Sequence, residues 1–125
     1  MPSGSSDSVK IIYYNRELVA QAVREALKKL TQEHPELQEA ILFGSFVRGD
    51  AVPGSDVDML LILSDSTLTF LERIPKYIPT TVPGGVDIFP YTRQELDRML
   101  AEGNPFIHRA LSEGQRLTRQ EILKE

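Results

Sequence analysis

The sequence contains no cysteine among its 125 residues, which excludes disulfide bonds and thiolate metal sites. It also lacks a long apolar run, since the longest uninterrupted one, residues 59–63, is far too short to span a bilayer. The amino terminus has neither the basic nor the apolar region of a signal peptide. We therefore expect a cytoplasmic protein that does not act in a membrane.

An excess of positive charge is missing as well. The 18 acidic residues outnumber the 14 basic ones, and the formal net charge is −4. Nucleic acid is therefore not the expected direct partner. The composition, 41% hydrophobic and 26% charged, is that of one globular domain. We predict a disordered segment over residues 1–8, the domain over residues 9–118 and a charged tail over residues 119–125.

The apolar pattern predicts helices alternating with short strands. An amphipathic helix follows Asn15, a suitable N-cap, and ends near His34. Strands are predicted over residues 39–43, 57–63, 86–91 and 115–118, and further helices over residues 45–49, 67–74, 92–102 and 104–112. Pro75 is predicted to end the helix over residues 67–74 and to begin an irregular connection.

Two carboxylates stand at the start of the predicted strand over residues 57–63. Asp56 and Asp58 are two residues apart, so their side chains share one face of the strand. Ionised carboxylates beside apolar residues repel each other unless a cation lies between them. Mg²⁺ is the best candidate, because waters and substrate phosphates commonly complete its ligand shell. The pair therefore predicts a magnesium site for phosphate chemistry.

A glycine–serine turn precedes the pair by ten residues. Gly44 and Ser45 follow a predicted strand and open a short helix, where backbone N–H groups and the Ser45 hydroxyl can meet a phosphate. Arg48, one turn on, can pair with the oxygens of a departing pyrophosphate. The alternatives are that Ser45 only caps the helix and that Arg48 is a surface residue.

A third carboxylate, Asp87, lies on a later strand. Its apolar neighbours Val86 and Ile88 face the other way by strand alternation. On the same sheet face as the pair, Asp87 would bind a second ion or accept the proton of an attacking hydroxyl. The alternative is a structural residue in a turn.

Gly-Ser, ten residues, Asp-x-Asp and a later Asp together resemble the motif of the DNA polymerase beta-like nucleotidyltransferase superfamily, especially its minimal members. The resemblance covers roughly residues 37–117. It implies an α+β nucleotidyltransferase fold, a small mixed sheet with helices packed on one face. It also implies a nucleoside triphosphate, such as ATP, at Gly44, Ser45 and Arg48, and two Mg²⁺ ions at Asp56, Asp58 and Asp87. The implied reaction moves a nucleotidyl group such as AMP to a hydroxyl and releases pyrophosphate.

The resemblance also suggests a partner. Minimal members are commonly antitoxins paired with a helical HEPN-domain toxin, and some add AMP to a tyrosine of that toxin. Because the catalytic core uses nearly all residues, we expect a partner protein to bring the acceptor. The alternatives are a stand-alone transferase for a small alcohol such as an aminoglycoside, and a binding module that neutralises a toxin by contact alone. The nucleobase and a homo-oligomeric state stay open.

Overall fold

The structure is a computed structural model and describes residues 14–124. Its helices are α1 (Arg16–Glu33), α2 (Ser45–Arg48), α3 (Phe70–Tyr77), α4 (Arg93–Ala101), α5 (Pro105–Glu113) and α6 (Arg119–Lys124). Its strands are β1 (Leu37–Phe43), β2 (Val57–Leu63), β3 (Val86–Thr92) and β4 (Gln115–Thr118). The predicted disorder of residues 1–8 lies outside the described residues. Between residues 14 and 124, none of the helices has the length and apolar character that a bilayer crossing requires.

The four strands form one mixed sheet in the order β3-β2-β1-β4. β1 pairs antiparallel with β2 and β4, whereas β2 and β3 are parallel. Parallel neighbours need a crossover connection, and residues 64–85 supply one that contains α3. The predicted α+β class and mixed sheet are confirmed.

Helices cover both faces of this sheet. Residues 59–63 of β2 are all buried, and alternate residues belong to two separate cores. Met59 and Leu61 pack in the core with α1 and α6, whereas Leu60 and Ile62 pack in the core with α4 and α5. The expectation that helices lie on one face only is therefore wrong, because a strand that is apolar on both faces must be covered on both.

Several predicted helix starts are confirmed by their caps. The Asn15 side chain accepts a hydrogen bond of 3.0 Å from the backbone N–H of Leu18 at the start of α1. Thr92 and Glu95 form a reciprocal capping box at α4. Asn104 accepts from the backbone of Ile107 at α5, where proline occupies the first helical position. These bonds satisfy amide groups that have no partner within the helix.

The helix predicted over residues 67–74 lies three residues further along the chain. α3 begins after Thr69, whose capping box with Glu72 the sequence analysis missed, and it continues through Pro75 to Tyr77. The prediction that Pro75 ends the helix is wrong. Proline removes one backbone hydrogen bond, whereas the last turn buries Tyr77 to 1% exposure in the core. Burial of a large side chain therefore outweighs the local preference.

The carboxyl-terminal residues are not an unstructured tail. α6 begins with a second missed capping pair, in which Thr118 and Glu121 exchange hydrogen bonds of 2.8 and 3.3 Å. Ile122 is 5% exposed and joins the core beneath α1. One apolar side chain at helical spacing from its cap therefore attaches this segment to the domain.

Candidate active site

The predicted site residues meet at one end of the sheet. Asp58 of β2 pairs with Phe43 of β1 on one side and with Asp87 of β3 on the other. Gly44 follows Phe43 directly, so the glycine–serine turn and two carboxylates lie on three adjacent strands. Asp56 precedes β2 and lies close enough to Asp87 for its charge to raise the pKa of the Asp87 carboxyl. We call Asp56, Asp58 and Asp87 the carboxylate row.

The row lies on the sheet face that α4 and α5 cover. Asp58 and Leu60 are two residues apart on β2, so their side chains share one face of the strand. Leu60 belongs to the core formed with these two helices. Asp87 is in register with Asp58, and Phe89, two residues further along β3, packs against the same core. The prediction that Asp87 faces away from Val86 and Ile88 is confirmed, since both neighbours are buried in the other core.

Gly44 allows the turn to lie against Asp58. Its φ of +80° and ψ of −156° are accessible to glycine and strained for other residues. A Cβ atom built on Gly44 would overlap Asp58 Oδ2 and come within 3.1 Å of Asp58 Cγ. The sequence analysis explained this glycine by the approach of a phosphate, and the structure adds a second reason, the approach of a carboxylate.

Ser45 and Arg48 belong to the single turn of α2 that follows. The N-cap of α2 is Gly44, which makes no side-chain capping bond. Arg48 makes two long contacts of 3.4 Å, with Asp50 and Glu113, and its side chain is half exposed. Exposed ion pairs of this kind contribute little stability. The guanidinium is therefore free to change partners when an anion binds.

The electrostatics of the row indicate a deficit of positive charge. Partial burial raises the pKa of Asp58, and the neighbouring charges of Asp87 and Asp56 raise it further, against a smaller lowering by Arg48. Desolvation likewise raises the pKa of Asp87, and the charge and hydrogen bond of Asp56 add to it. Each carboxylate thus disfavours ionisation of the next, and a cation would relieve this repulsion.

The donor set suits a hard divalent cation, although the side chains do not yet enclose one. Carboxylate oxygens are the ligands that Mg²⁺ prefers. Among residues 14–124, however, no three His, Cys, Asp or Glu side chains are arranged so that they could hold a metal ion. The charge of Asp56 instead raises the pKa of the Asp87 carboxyl. Binding would therefore require the carboxylates to turn toward the ion.

A glycine pair before β3 contributes to the site, and the sequence analysis did not identify it. Gly84 and Gly85 have φ values of +84° and +88°. A Cβ on Gly85 would come 3.4 Å from Asp56 Oδ1, and one on Gly84 would come 2.7 Å from the Ser55 carbonyl oxygen. The pair lets the entry to β3 pass close to Asp56. The sequence feature that could have identified the pair is its position directly before the strand that carries Asp87.

A buried arginine of α3 contacts the edge strand β3, and the sequence analysis missed it. Arg73 of α3 is 3% exposed. Its Nη1 donates to the Pro90 carbonyl of β3 at 3.0 Å and to Glu95 Oε1 at 2.6 Å, while Nη2 donates to Glu95 Oε2 at 3.0 Å. This bidentate pair ties α3 and α4 to the edge strand that carries Asp87.

Two cavities among the described residues lie away from the row. One of about 770 Å³ lies between α1, α6 and the opposite sheet face, with Leu27, Leu42 and Ile122 in its lining. Another, of about 160 Å³, lies near His34 and Lys76. Neither lining includes a member of the carboxylate row. The row itself is open to solvent, since Asp56 and Asp87 are exposed and Asp58 is half-buried.

The chain matches the model of a known enzyme family. The model of the nucleotidyltransferase domain matches residues 23–113, a range that contains every predicted site residue. The chain belongs to the nucleotidyltransferase domain family. The resemblance of the sequence to polymerase beta-like nucleotidyltransferases is thus confirmed. The protein is an enzyme of the nucleotidyltransferase class.

A solved structure agrees with the fold. The crystal structure of a candidate nucleotidyltransferase from Sulfolobus solfataricus superposes with a TM-score of 0.53 and 24% sequence identity. The match covers 66% of this chain and 75% of that chain. No curated protein matches the nucleotidyltransferase in sequence.

Proposed function

We propose that the protein transfers AMP from ATP, with Mg²⁺, to a hydroxyl group on a partner protein. The observation that carries this proposal is the order across the sheet end: Gly44 and Ser45 after β1, Asp58 on β2 and Asp87 on β3. A phosphate-binding turn, metal ligands and a proton acceptor follow one another in the order that an in-line displacement needs. The proposal assumes a cytoplasmic protein, as the sequence predicts.

Asp56, Asp58 and Asp87 are the residues that would hold Mg²⁺. When bound, the metal would neutralise phosphate charge that the carboxylates alone would repel. In the transfer, the acceptor oxygen forms a bond to the α-phosphorus and the bond to the pyrophosphate oxygen breaks. The hydroxyl proton passes to the exposed carboxylate of Asp87 on the edge strand β3. The Ser45 hydroxyl and Arg48 stabilise the negative charge on pyrophosphate.

The openness of the row favours a macromolecular acceptor. A small alcohol would need an enclosing pocket beside Asp87, and the cavities described above lie elsewhere. A partner protein can instead present a hydroxyl to an exposed carboxylate. Together with the likeness to minimal nucleotidyltransferases, this supports a HEPN-domain toxin as the acceptor and an antitoxin role for this chain.

The test is transfer of label from ATP to the co-purified partner. In the presence of Mg²⁺, α-labelled ATP should label the partner, chelation by EDTA should abolish labelling, and added Mg²⁺ should restore it. Asp58→Asn, which keeps the side-chain shape, should lower labelling at least about 10²-fold. Asp65→Asn is the matched control, since Asp65 is exposed beyond the opposite end of β2.

Two outcomes would overturn the proposal. Equal labelling by wild type and folded Asp58→Asn would exclude the carboxylate row as the catalytic site. Protection of cells from the toxin by folded Asp58→Asn, without labelling, would instead favour neutralisation by contact. Intact-mass spectrometry of the partner distinguishes these results, because AMP addition changes its mass and binding does not.

A further inference from the structure

Three phenylalanine rings form an aromatic cluster beside the carboxylate row. The ring of Phe106, in the first turn of α5, lies 5.6 Å from that of Phe43 on β1 and 4.9 Å from that of Phe89 on β3, between centroids. Phe43 and Phe89 also contact each other at 5.8 Å. Phe43 is 8% exposed, whereas Phe106 is 38% exposed. One part of the Phe106 ring is thus supported by aromatic contacts while the rest faces solvent.

The cluster adjoins the row on the same sheet face. Phe43 is the direct cross-strand neighbour of Asp58. Phe89 follows Asp87 by two residues and therefore points to the same face of β3. Phe106 contacts both rings from α5, which covers this face. The partly exposed Phe106 ring therefore lies next to the carboxylate row, with Phe43 and Phe89 between them.

The direction of the proposed reaction indicates what this surface meets. Pyrophosphate leaves toward Gly44 and Ser45 beyond β1, and the acceptor hydroxyl approaches from Asp87 on β3, so the line of displacement crosses the strands. Attacking and leaving oxygens lie roughly in line through the phosphorus. The nucleoside is attached by neither of these two oxygens, and it therefore projects at a large angle to that line. Along β3 from Asp87, this direction leads to Phe89 and then to Phe106 of α5, which also contacts Phe43 beside Asp58.

We propose that the exposed face of Phe106, supported by Phe43 and Phe89, is the surface on which the nucleobase of the substrate stacks. This inference rests on the proposed nucleotidyl transfer. Stacking uses the π-face that all bases share, so it tolerates different bases. The surface therefore increases affinity for nucleoside triphosphates as a class and separates them from inorganic polyphosphates.

The first test compares ATP with inorganic tripolyphosphate, which carries the phosphates without a base. Calorimetry in Mg²⁺ should show that Phe106→Ala weakens ATP binding about 5- to 100-fold and leaves tripolyphosphate binding unchanged. Phe106→Tyr should retain affinity for ATP, because it keeps the ring. Leu71→Ala is the matched control, since Leu71 is an exposed apolar side chain on α3, and it should bind both ligands as wild type does.

A second test uses the absence of tryptophan from the chain. Phe106→Trp introduces a sole tryptophan at the proposed surface, and its fluorescence should be quenched by ATP and by other nucleoside triphosphates. Tripolyphosphate should leave the fluorescence nearly unchanged.

The outcomes separate this inference from the function on which it rests. If wild type binds ATP and Phe106→Ala binds it equally well, base stacking is overturned and the proposed function stands. The same conclusion follows if Phe106→Ala loses ATP and tripolyphosphate to the same extent, or if wild type binds the two ligands equally. If wild type binds no nucleoside triphosphate in Mg²⁺, both proposals fail together.

Discussion

Replacement of Gly44 by alanine tests the contact between the glycine–serine turn and the carboxylate row. The new Cβ would overlap Asp58 Oδ2, and Asp58 Cγ would lie only 3.1 Å away. Because the carboxylate is at the end of a rotatable side chain, it can turn aside. We therefore expect the protein to fold with Asp58 displaced.

Two magnitudes follow from this geometry. Alanine at the φ of +80° and ψ of −156° of Gly44 costs about 1–3 kcal/mol in folding free energy, and the melting temperature should fall by roughly 3–15 °C at this chain length. The carboxylate must retreat by about 1 Å to reach ordinary contact, and a misplacement of that size lowers catalytic rate about 10²-fold.

Gly49→Ala is the matched control for this experiment. Gly49 also has a positive φ, +89°, and a Cβ built there would have no neighbour within 4 Å. Its left-handed backbone costs alanine about 1–2 kcal/mol, a strain comparable with that at Gly44, but no carboxylate moves. We expect both variants to lose thermal stability and only Gly44→Ala to lose transfer activity.

The assay combines differential scanning fluorimetry with the initial rate of the proposed AMP transfer to the partner. Rates are compared at a temperature at which both variants are folded. Equal transfer rates for Gly44→Ala and Gly49→Ala would refute the reasoning, because they would mean that the position of the Asp58 carboxylate does not limit the reaction. A large rate loss in both variants would instead attribute the effect to backbone strain in α2.

Other predictions concern stability and the proposed contact of Arg48 with pyrophosphate. Glu95→Gln should lower the free energy of unfolding at pH 7 by about 1–3 kcal/mol, because the buried Arg73 loses its charged partner. The hydrogen bond from Arg73 lowers the pKa of Glu95 in the folded protein. In urea titrations, the stability difference between wild type and Glu95→Gln should therefore be full above about pH 4.3, the pKa of an unfolded glutamate, and should disappear as the pH falls through the lower pKa of the folded state. A difference that does not change with pH would contradict this prediction. Ile122→Ala should cost about 2–5 kcal/mol in the same titrations, whereas a value near zero would mean that α6 is only loosely attached. Arg48→Met should weaken pyrophosphate inhibition about tenfold without lowering the melting temperature, and unchanged inhibition would exclude its contact with pyrophosphate.

Local rules predicted much of the site. The shared face of Asp56 and Asp58 follows from strand alternation, and the glycine–serine turn follows from its place after an apolar run. The partnership of Asp58 with Asp87 does not follow from these rules. It depends on the parallel pairing of β2 with β3, and pairing partners are set by the tertiary fold rather than by the spacing of residues in one strand.

Three of the misses have one physical origin, contacts between distant parts of the chain. Pro75 lies within α3 because Tyr77 is buried by a core that the local sequence does not describe. The role of Arg73 becomes visible only when α3 is packed beside Pro90 and Glu95. Ile122 had a local signal in the capping pair that precedes it, yet its burial depends on α1, which lies about ninety residues earlier in the chain. Apart from the two local capping pairs at α3 and α6, the side chains that were missed act across long sequence separations.

The crossover between β2 and β3 also determines when the active site comes into being. During synthesis the turn and the first two carboxylates emerge early, but the last carboxylate can reach them only after the 22 connecting residues, 64–85, have folded back to lay down a parallel strand. Closing such a loop precedes any gain from the contacts that it permits, which makes pairings of this kind slow. Nascent chains still lacking β3 would thus carry two of the three carboxylates of the row without Asp87, the proposed proton acceptor. Catalytic competence should appear late, together with completion of the sheet edge.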